Sequence, residues 1–184
     1  MSERRAQLWR SRLRLGAVVG AALVAIGLIA VASGVGQPDV GAAAPNEGGV
    51  SVHLPAGEPL LQRNRPPSSG PHYAGRAAYG TSASAVQAGN WLHALEHGAI
   101  AVLFRCADPA ECATTADRLR GEVYDKAKNG AFGERKLVIT PYQEMDSPIT
   151  AVAWGRTLEL REIDAERILA FYDRYLDRGP ERAP

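Results

Sequence analysis

The chain has 184 residues and a formal net charge of +1, enough for one compact domain plus a targeting or anchoring segment. The charge is unevenly distributed. Residues 1–36 hold five of the 21 basic and one of the 20 acidic side chains, so residues 37–184 carry 16 basic and 19 acidic groups, a net charge of −3. A mildly acidic domain without a basic stripe argues against nucleic-acid binding, and we expect no nucleic-acid partner.

The N-terminal segment predicts a membrane anchor. Residues 16–36 are 21 residues without a charge, and as a helix they would be about 31 Å long, close to the hydrocarbon thickness of about 30 Å. The preceding arginines place residues 1–15 in the cytoplasm by the positive-inside rule. We expect a single-pass membrane protein that contacts the membrane through residues 16–36, with a linker at 37–49 and an extracytoplasmic domain at 50–181. A cleaved signal peptide is the alternative, because its apolar region also ends at small residues.

Cys106 and Cys112 are the only two cysteines of the chain. In an oxidising compartment, an even number of cysteines at short spacing predicts a disulfide. Two reduced thiols or a metal-thiolate pair are the alternatives.

The middle of the chain predicts a strand, a helix and a second strand. Residues 99–105 form a continuous apolar run that is typical of a buried strand. Asp108-Pro109 then provides an N-cap and a first helical residue, and Asn129-Gly130 is expected to end that helix. Residues 135–140 are the second strand, and this order favours parallel pairing of the two strands.

The C-terminal part predicts a hairpin and a last helix. Residues 149–154 and 157–161 are expected to form strands around a Gly155-Arg156 turn. Asp164 caps a helix that ends before Gly179-Pro180. The predicted fold class is α+β, with a small sheet of about four strands and two flanking helices, preceded by one N-terminal transmembrane helix.

His93 and His97 are the main candidates for a functional site. They stand four residues apart, with Glu96 between them. On a helix their Cβ atoms would be about 6 Å apart, close enough for both imidazoles to reach one ion at about 2.0–2.1 Å. On a strand they would be about 13 Å apart, too far to share an ion. The local backbone therefore decides whether this pair can bind a metal.

Two further residues complete the predicted metal site. The proline-rich residues 64–73 form a stiff loop that can aim His72, and we expect His72 within about 5 Å of His93 or His97. Met145 would be a soft fourth ligand. Imidazoles with a thioether favour copper, whereas three imidazoles alone suit zinc.

Other interpretations remain open at this stage. The histidines could donate to backbone carbonyls, with Glu96 as their pairing partner. The string His93-x-x-Glu96-His97 also matches the H-x-x-E-H pattern of inverted zinc peptidases, in which Glu96 would activate water. Gly98 leaves only a short helix there, so we lean against an enzyme. A non-catalytic interaction module of an envelope complex, with no named protein partner, is the third possibility. His53 is interpreted as an ordinary surface or strand histidine.

Three segments carry a family resemblance. They are residues 66–72 (PPSSGPH), residues 93–98 (HALEHG), and residues 145–148 (MDSP) leading to Ala153-Trp154-Gly155. From about residue 50 to Glu181 the chain resembles the bacterial family called domain of unknown function 3105. The resemblance implies an anchored or secreted protein with one N-terminal apolar segment. It implies no reaction, and the two cysteines are not part of the pattern.

Overall fold

The computed structural model describes residues 40–184. The predicted cytoplasmic segment 1–15, the predicted transmembrane segment 16–36 and the first residues of the linker lie outside this range. Within residues 40–184, none of the helices has the length and apolar character that crossing a bilayer requires.

The domain contains a six-stranded mixed sheet and a separate two-stranded parallel sheet. The strands are β1 (Ala42–Ala43), β2 (His53–Leu54), β3 (His72–Tyr73), β4 (Gly80–Thr81), β5 (Ile100–Phe104), β6 (Leu137–Pro141), β7 (Ile149–Ala153) and β8 (Arg156–Leu160). The large sheet has the order β1-β8-β7-β5-β6-β4, and β2 pairs with β3 in the small one.

The four strands predicted from the sequence are the four central strands of the large sheet. β5 pairs with β6 in parallel, as predicted, and with β7 antiparallel. The predicted count of about four strands is nevertheless too low, because β1 and β4 extend the sheet at its two edges. Each edge strand has two residues, too few to show an alternating hydrophobic pattern.

Three helices surround the sheet within the described residues, one more than predicted. They are α1 (Ala88–Glu96), α2 (Pro109–Glu122) and α3 (Ala165–Tyr175). Asp108 caps α2 through the amides of Ala110 and Glu111, and Asp164 caps α3 through the amide of Arg167. The predicted end of α2 at Asn129-Gly130 is wrong, because the α-helix ends at Glu122 and a 3₁₀ helix, Tyr124–Lys126, follows.

The turn between β7 and β8 lies one residue earlier than predicted. Ala153 pairs with Arg156, so Trp154-Gly155 forms the turn instead of Gly155-Arg156. Gly155 has φ +67, a left-handed conformation that favours glycine. The glycine is therefore at the second turn position.

The two faces of the sheet are covered by different helices. Along β5 the side chains alternate, with Ile100, Val102 and Phe104 in one hydrophobic cluster and Ala101 and Leu103 in another. The first cluster is closed by apolar residues of α2 and α3, and the second by apolar residues of α1: Leu119, Ile168, Phe171 and Tyr172 on one side, Trp91, Leu92 and Leu95 on the other.

Cys106 and Cys112 form a disulfide, as the sequence predicts. It joins the segment after β5 to the first turn of α2, with the Cα atoms 5.2 Å apart.

Candidate metal site

The candidate site is built on the outer stripe of α1. Leu92 and Leu95 pack into the hydrophobic cluster of the sheet. His93 and Glu96 are three residues apart and therefore share a stripe of the helix. Both are buried, His93 with 8% and Glu96 with 0% of its surface exposed. Burying an unpaired carboxylate costs free energy of folding, so Glu96 must have partners. The groups around Glu96 therefore indicate the function of this region.

The small sheet covers this stripe and brings in two more histidines. His53 of β2 pairs with His72 of β3 in the parallel register. β3 packs on α1 at Gly89, where an added Cβ would lie 2.4 Å from Cδ2 of Tyr73. The missing side chain at residue 89 therefore allows the close approach that places His72 beside α1.

Three imidazoles and one carboxylate converge as a result. The ring centroids are 5.1 Å apart for His53 and His72, 4.9 Å for His53 and His93, and 5.1 Å for His72 and His93. One ligand atom from each histidine and one from Glu96 all lie within 4.8 Å of one another. Ligands at about 2.0–2.1 Å in a tetrahedron are about 3.4 Å apart, so a modest contraction of the group would enclose a metal ion.

The hydrogen bonds of two histidines orient their rings as metal ligands are usually oriented. The Nδ1–H of His72 donates to the carbonyl of Gly70 at 2.9 Å, and the Nδ1–H of His93 donates to the carbonyl of Tyr73 at 2.9 Å. A carbonyl can only accept, so Nδ1 carries the proton in both rings. This arrangement leaves Nε2 of each ring available, and such backbone partners are the normal outer shell of a metal-bound histidine.

His72 and Glu96 are in direct contact. Nε2 of His72 lies 3.1 Å from Oε2 of Glu96. With its proton on Nδ1, a neutral His72 would direct a lone pair at the carboxylate. A proton or a metal ion shared by these two atoms would make the contact favourable.

Burial lowers the pKa of His93 from its ordinary value. The hydrogen bond to the carbonyl of Tyr73 opposes this shift, and the neighbouring His97, His72 and His53 add to it. The neutral ring, which has the lone pair that binds metal, is favoured in the folded protein.

A second group lies beside the first and shares Glu96. Ligand atoms of Glu96, His97 and Glu181 also lie within 4.8 Å of one another, and Nε2 of His97 is 3.6 Å from Oε2 of Glu181. Ser51 connects the two acids: its amide donates to Oε1 of Glu96 at 2.6 Å, and its hydroxyl donates to Oε1 of Glu181. The hydroxyl bond is the main cause of the lowered pKa of Glu181.

The C-terminal segment is fixed by contacts that hold Glu181 in place. The amide of Glu181 donates to the carbonyl of Glu96 at 3.0 Å. Gly179 crosses the end of α1 so closely that a Cβ would lie 2.1 Å from the same carbonyl oxygen. The buried Lys136 pairs with Asp177 at 2.9 Å and donates to the carbonyl of His97 at 3.0 Å.

The structure places the predicted ligands in different surroundings. His72 lies beside His93 at the separation expected from the sequence. His97 faces Glu181, with its ring centroid 4.7 Å from that of His93. Met145 is 6% exposed and belongs to the apolar cluster under α1, so its burial needs no metal.

His53 was interpreted as an ordinary histidine, yet it lies in the first group. The sequence gives little indication of this position. His53 reaches the group through pairing of two two-residue strands, and His53 and His72 are 19 positions apart in the sequence. The sequence predicts Glu96 only as a pairing partner of the histidines or, in the peptidase alternative, as the base that activates water. Here its oxygens accept from Ser51 and face His72 and His53, with His53 Nε2 at 4.0 Å. These contacts suit a ligand better than a base that activates water.

The sequence segments that carry the family resemblance meet at this site. The carbonyl of Ser68 accepts from the amide of Gly155 at 2.9 Å, and the rings of His72 and Trp154 are 6.0 Å apart. The fold and the cluster together define an α+β domain with a histidine–carboxylate group that could hold a metal ion.

The chain belongs to the family described as proteins of unknown function (DUF3105), whose model matches residues 53–184. The match begins at His53 and includes all four histidines of the chain. Comparison with curated proteins and with solved structures finds no match.

Proposed function

We propose that this chain is a membrane-anchored, extracytoplasmic protein that binds a divalent transition-metal ion, zinc or copper, through His53, His72, His93 and Glu96. The observation that carries the proposal is the convergence of three imidazoles on one buried carboxylate, within 4.8 Å. Nitrogen and oxygen donors without a thioether favour zinc or copper(II) over copper(I).

The main rival is a purely structural cluster, in which a doubly protonated His72 pairs with Glu96. That pair would satisfy Glu96, and the bond to the carbonyl of Tyr73 would satisfy Nδ1 of His93, but the cluster would give no role to Nε2 of His93 or to the ring of His53. The arrangement of these imidazoles is the one found in metal sites. Nδ1–H of His93 donates to a backbone carbonyl, as the second ring nitrogen of a metal-bound histidine usually does. Four protein ligands would complete a tetrahedral zinc ion, which suits holding a metal rather than catalysis.

The cellular location rests on two sequence features and one contact. Residues 16–36 have the length and composition of a bilayer span, and the arginines before them orient it. The disulfide of Cys106 and Cys112 fits an oxidising compartment outside the cytoplasm. If alkaline washing released the full-length chain from cell membranes, the anchor would be refuted.

The metal proposal is tested by titrating the metal-free, full-length chain in detergent with zinc and with copper(II). We expect His72→Ala to weaken binding by more than about 100-fold, because even outer-shell partners of a ligand cost about 10–100-fold. His53→Ala is the second variant, since a side chain that is 41% exposed can be truncated without unfolding the domain.

The matched control is Glu166→Gln, which changes an exposed acid on α3, outside both ligand groups. It should bind as the wild type does. Equal and negligible binding by the wild type and both histidine variants would reject the metal function.

A further inference from the structure

The residues Glu96, His97 and Glu181 form a second group that could hold a metal ion, and the proposed site uses only Glu96 of these three. The second group contains two carboxylates and one imidazole, with ligand atoms within 4.8 Å of one another. These donors suit a divalent cation, and they are harder than the three imidazoles of the first group. Glu96 is common to both groups.

The position of Ser51 indicates how Glu96 is shared. Oε2 of Glu96 faces the first group, 3.1 Å from His72 Nε2 and 4.0 Å from His53 Nε2. Oε1 accepts from the amide of Ser51, whose hydroxyl donates to Glu181. The same serine thus contacts both Oε1 of Glu96 and Glu181, so Oε2 faces the histidines of the first group and Oε1 faces Ser51, next to the second group.

We propose that the protein holds two divalent ions, with Glu96 as a bridging carboxylate between them. His53, His72 and His93 complete the first position, and His97 and Glu181 complete the second. The inference rests on the proposed function for the first ion. A carboxylate oxygen has two lone pairs, so Oε1 can bind an ion while it still accepts from Ser51.

His93 and His97 bring the two positions next to each other. Their ring centroids are 4.7 Å apart, and each ring serves a different ion. Ions in two-metal sites are also neighbours, about 3.5–4 Å apart. Residues four apart on a helix are neighbours on one face, so α1 and the residue after it can present a ligand to each ion.

The two positions differ in the number of protein ligands. Exposure does not separate them, because His53 of the first position has 41% of its side chain exposed, and Glu181 of the second has 37%. The second position has three protein ligands, and zinc sites with three protein ligands keep a place for water or substrate. The second ion is therefore the one that would bind water or substrate.

The stoichiometry of binding tests the inference. The metal-free, full-length chain is loaded with zinc, freed of excess by gel filtration, and its metal is counted by elemental analysis. We expect two zinc ions per chain in the wild type and one in both His97→Ala and Glu181→Ala, with the affinity of the remaining ion unchanged. Glu166→Ala, an exposed acid on α3, should keep two.

The bridge is tested separately with copper(II). Two copper ions that share Glu96 are coupled, so the electron paramagnetic resonance signal at two equivalents should fall below twice that at one. A signal that simply doubles would show two independent ions and overturn the bridge.

The possible results separate the two proposals. One zinc ion in the wild type, unaffected by Glu181→Ala, overturns the second position and leaves the first. Two zinc ions in Glu181→Ala also overturn it. If the wild type binds neither zinc nor copper(II), the proposed function itself is overturned, and the two-ion centre with it.

Discussion

The two faces of the large sheet are stabilised in different ways. The face under α2 and α3 is a continuous apolar cluster of Leu, Ile, Val and aromatic side chains. The face under α1 is also apolar next to the sheet, but the far side of α1 is covered by short strands and loops that make polar contacts with Glu96 and the histidines. Apolar burial stabilises both faces. On the α1 face, this burial also offsets the free-energy cost of burying the polar groups around Glu96.

The sharpest test of this difference is a cavity on the apolar face. Phe171 of α3 is fully buried there, so Phe171→Ala should lower the free energy of unfolding by about 3–5 kcal/mol. Urea unfolding measures the loss. Metal affinity of the folded variant should stay within twofold of the wild type, because the site lies beyond the sheet.

Arg167→Ala, which changes an exposed residue of the same helix, is the control for Phe171→Ala and should have little effect. A large loss of metal affinity in folded Phe171→Ala would show that the two faces are not independent.

A smaller change in stability, but a larger change in metal affinity, is expected on the α1 face. Gly89→Ala places a Cβ 2.4 Å from the ring of Tyr73, which costs about 1–3 kcal/mol by overpacking. The better helix propensity of alanine returns about 1 kcal/mol. In the metal-free variant we expect β3, which carries His72, to shift and relieve about 1.4 kcal/mol of this strain. Metal binding must bring His72 back and restore the strain, so metal affinity falls about tenfold.

Gly121 of α2 provides the matched control for Gly89→Ala. A Cβ at residue 121 would meet no atom within 4 Å. Gly121→Ala should therefore stabilise the chain by up to about 1 kcal/mol and leave metal affinity unchanged. Equal metal affinities of the two alanine variants would contradict the role of the α1–β3 contact.

The smallest effect is a pH dependence that belongs to the α1 face alone. Because burial lowers the pKa of His93, the unfolded chain binds a proton at this residue near pH 6.5 while the folded chain does so only at lower pH. The free energy of unfolding of the metal-free chain should therefore decrease as pH falls below about 6.5, and level off below the folded pKa. Above about pH 6.5, His93 should not contribute to the pH dependence of the free energy of unfolding.

Replacing His93 by glutamine should remove this part of the pH dependence, and urea unfolding between about pH 7.5 and 5 measures it. Phe171→Ala should keep the slope of the wild type. An unchanged slope in His93→Gln would show that this histidine is not the group responsible.

The same division explains what the sequence could predict. The central strands β5 to β8 and the helices α2 and α3 carry local signals, namely apolar runs and the caps Asp108 and Asp164. α1 has no side-chain cap at Gln87 and includes Gly89 and Asn90, which have low helix propensity. Its sequence therefore does not predict a helix that begins at Ala88. The edge strands are too short to have a period.

The candidate site could be predicted only in part, because only some of its residues are close together in the sequence. His93 and His97 share one short segment, and their spacing was visible in the sequence. His53 joins them only through pairing of β2 with β3, a contact between distant positions. Met145 has a donor atom that fits the chemistry, but it is used for packing in the apolar cluster. Composition identifies possible donors, whereas only the fold decides which of them meet.

All four histidines of this chain lie in one place, and this has a practical consequence. Any probe that is selective for imidazole, such as the ring resonances in an NMR spectrum or acylation by diethyl pyrocarbonate, reports on this site without background from elsewhere in the natural sequence. A polyhistidine purification tag would remove that advantage, and would also compete for the ions whose number is to be measured.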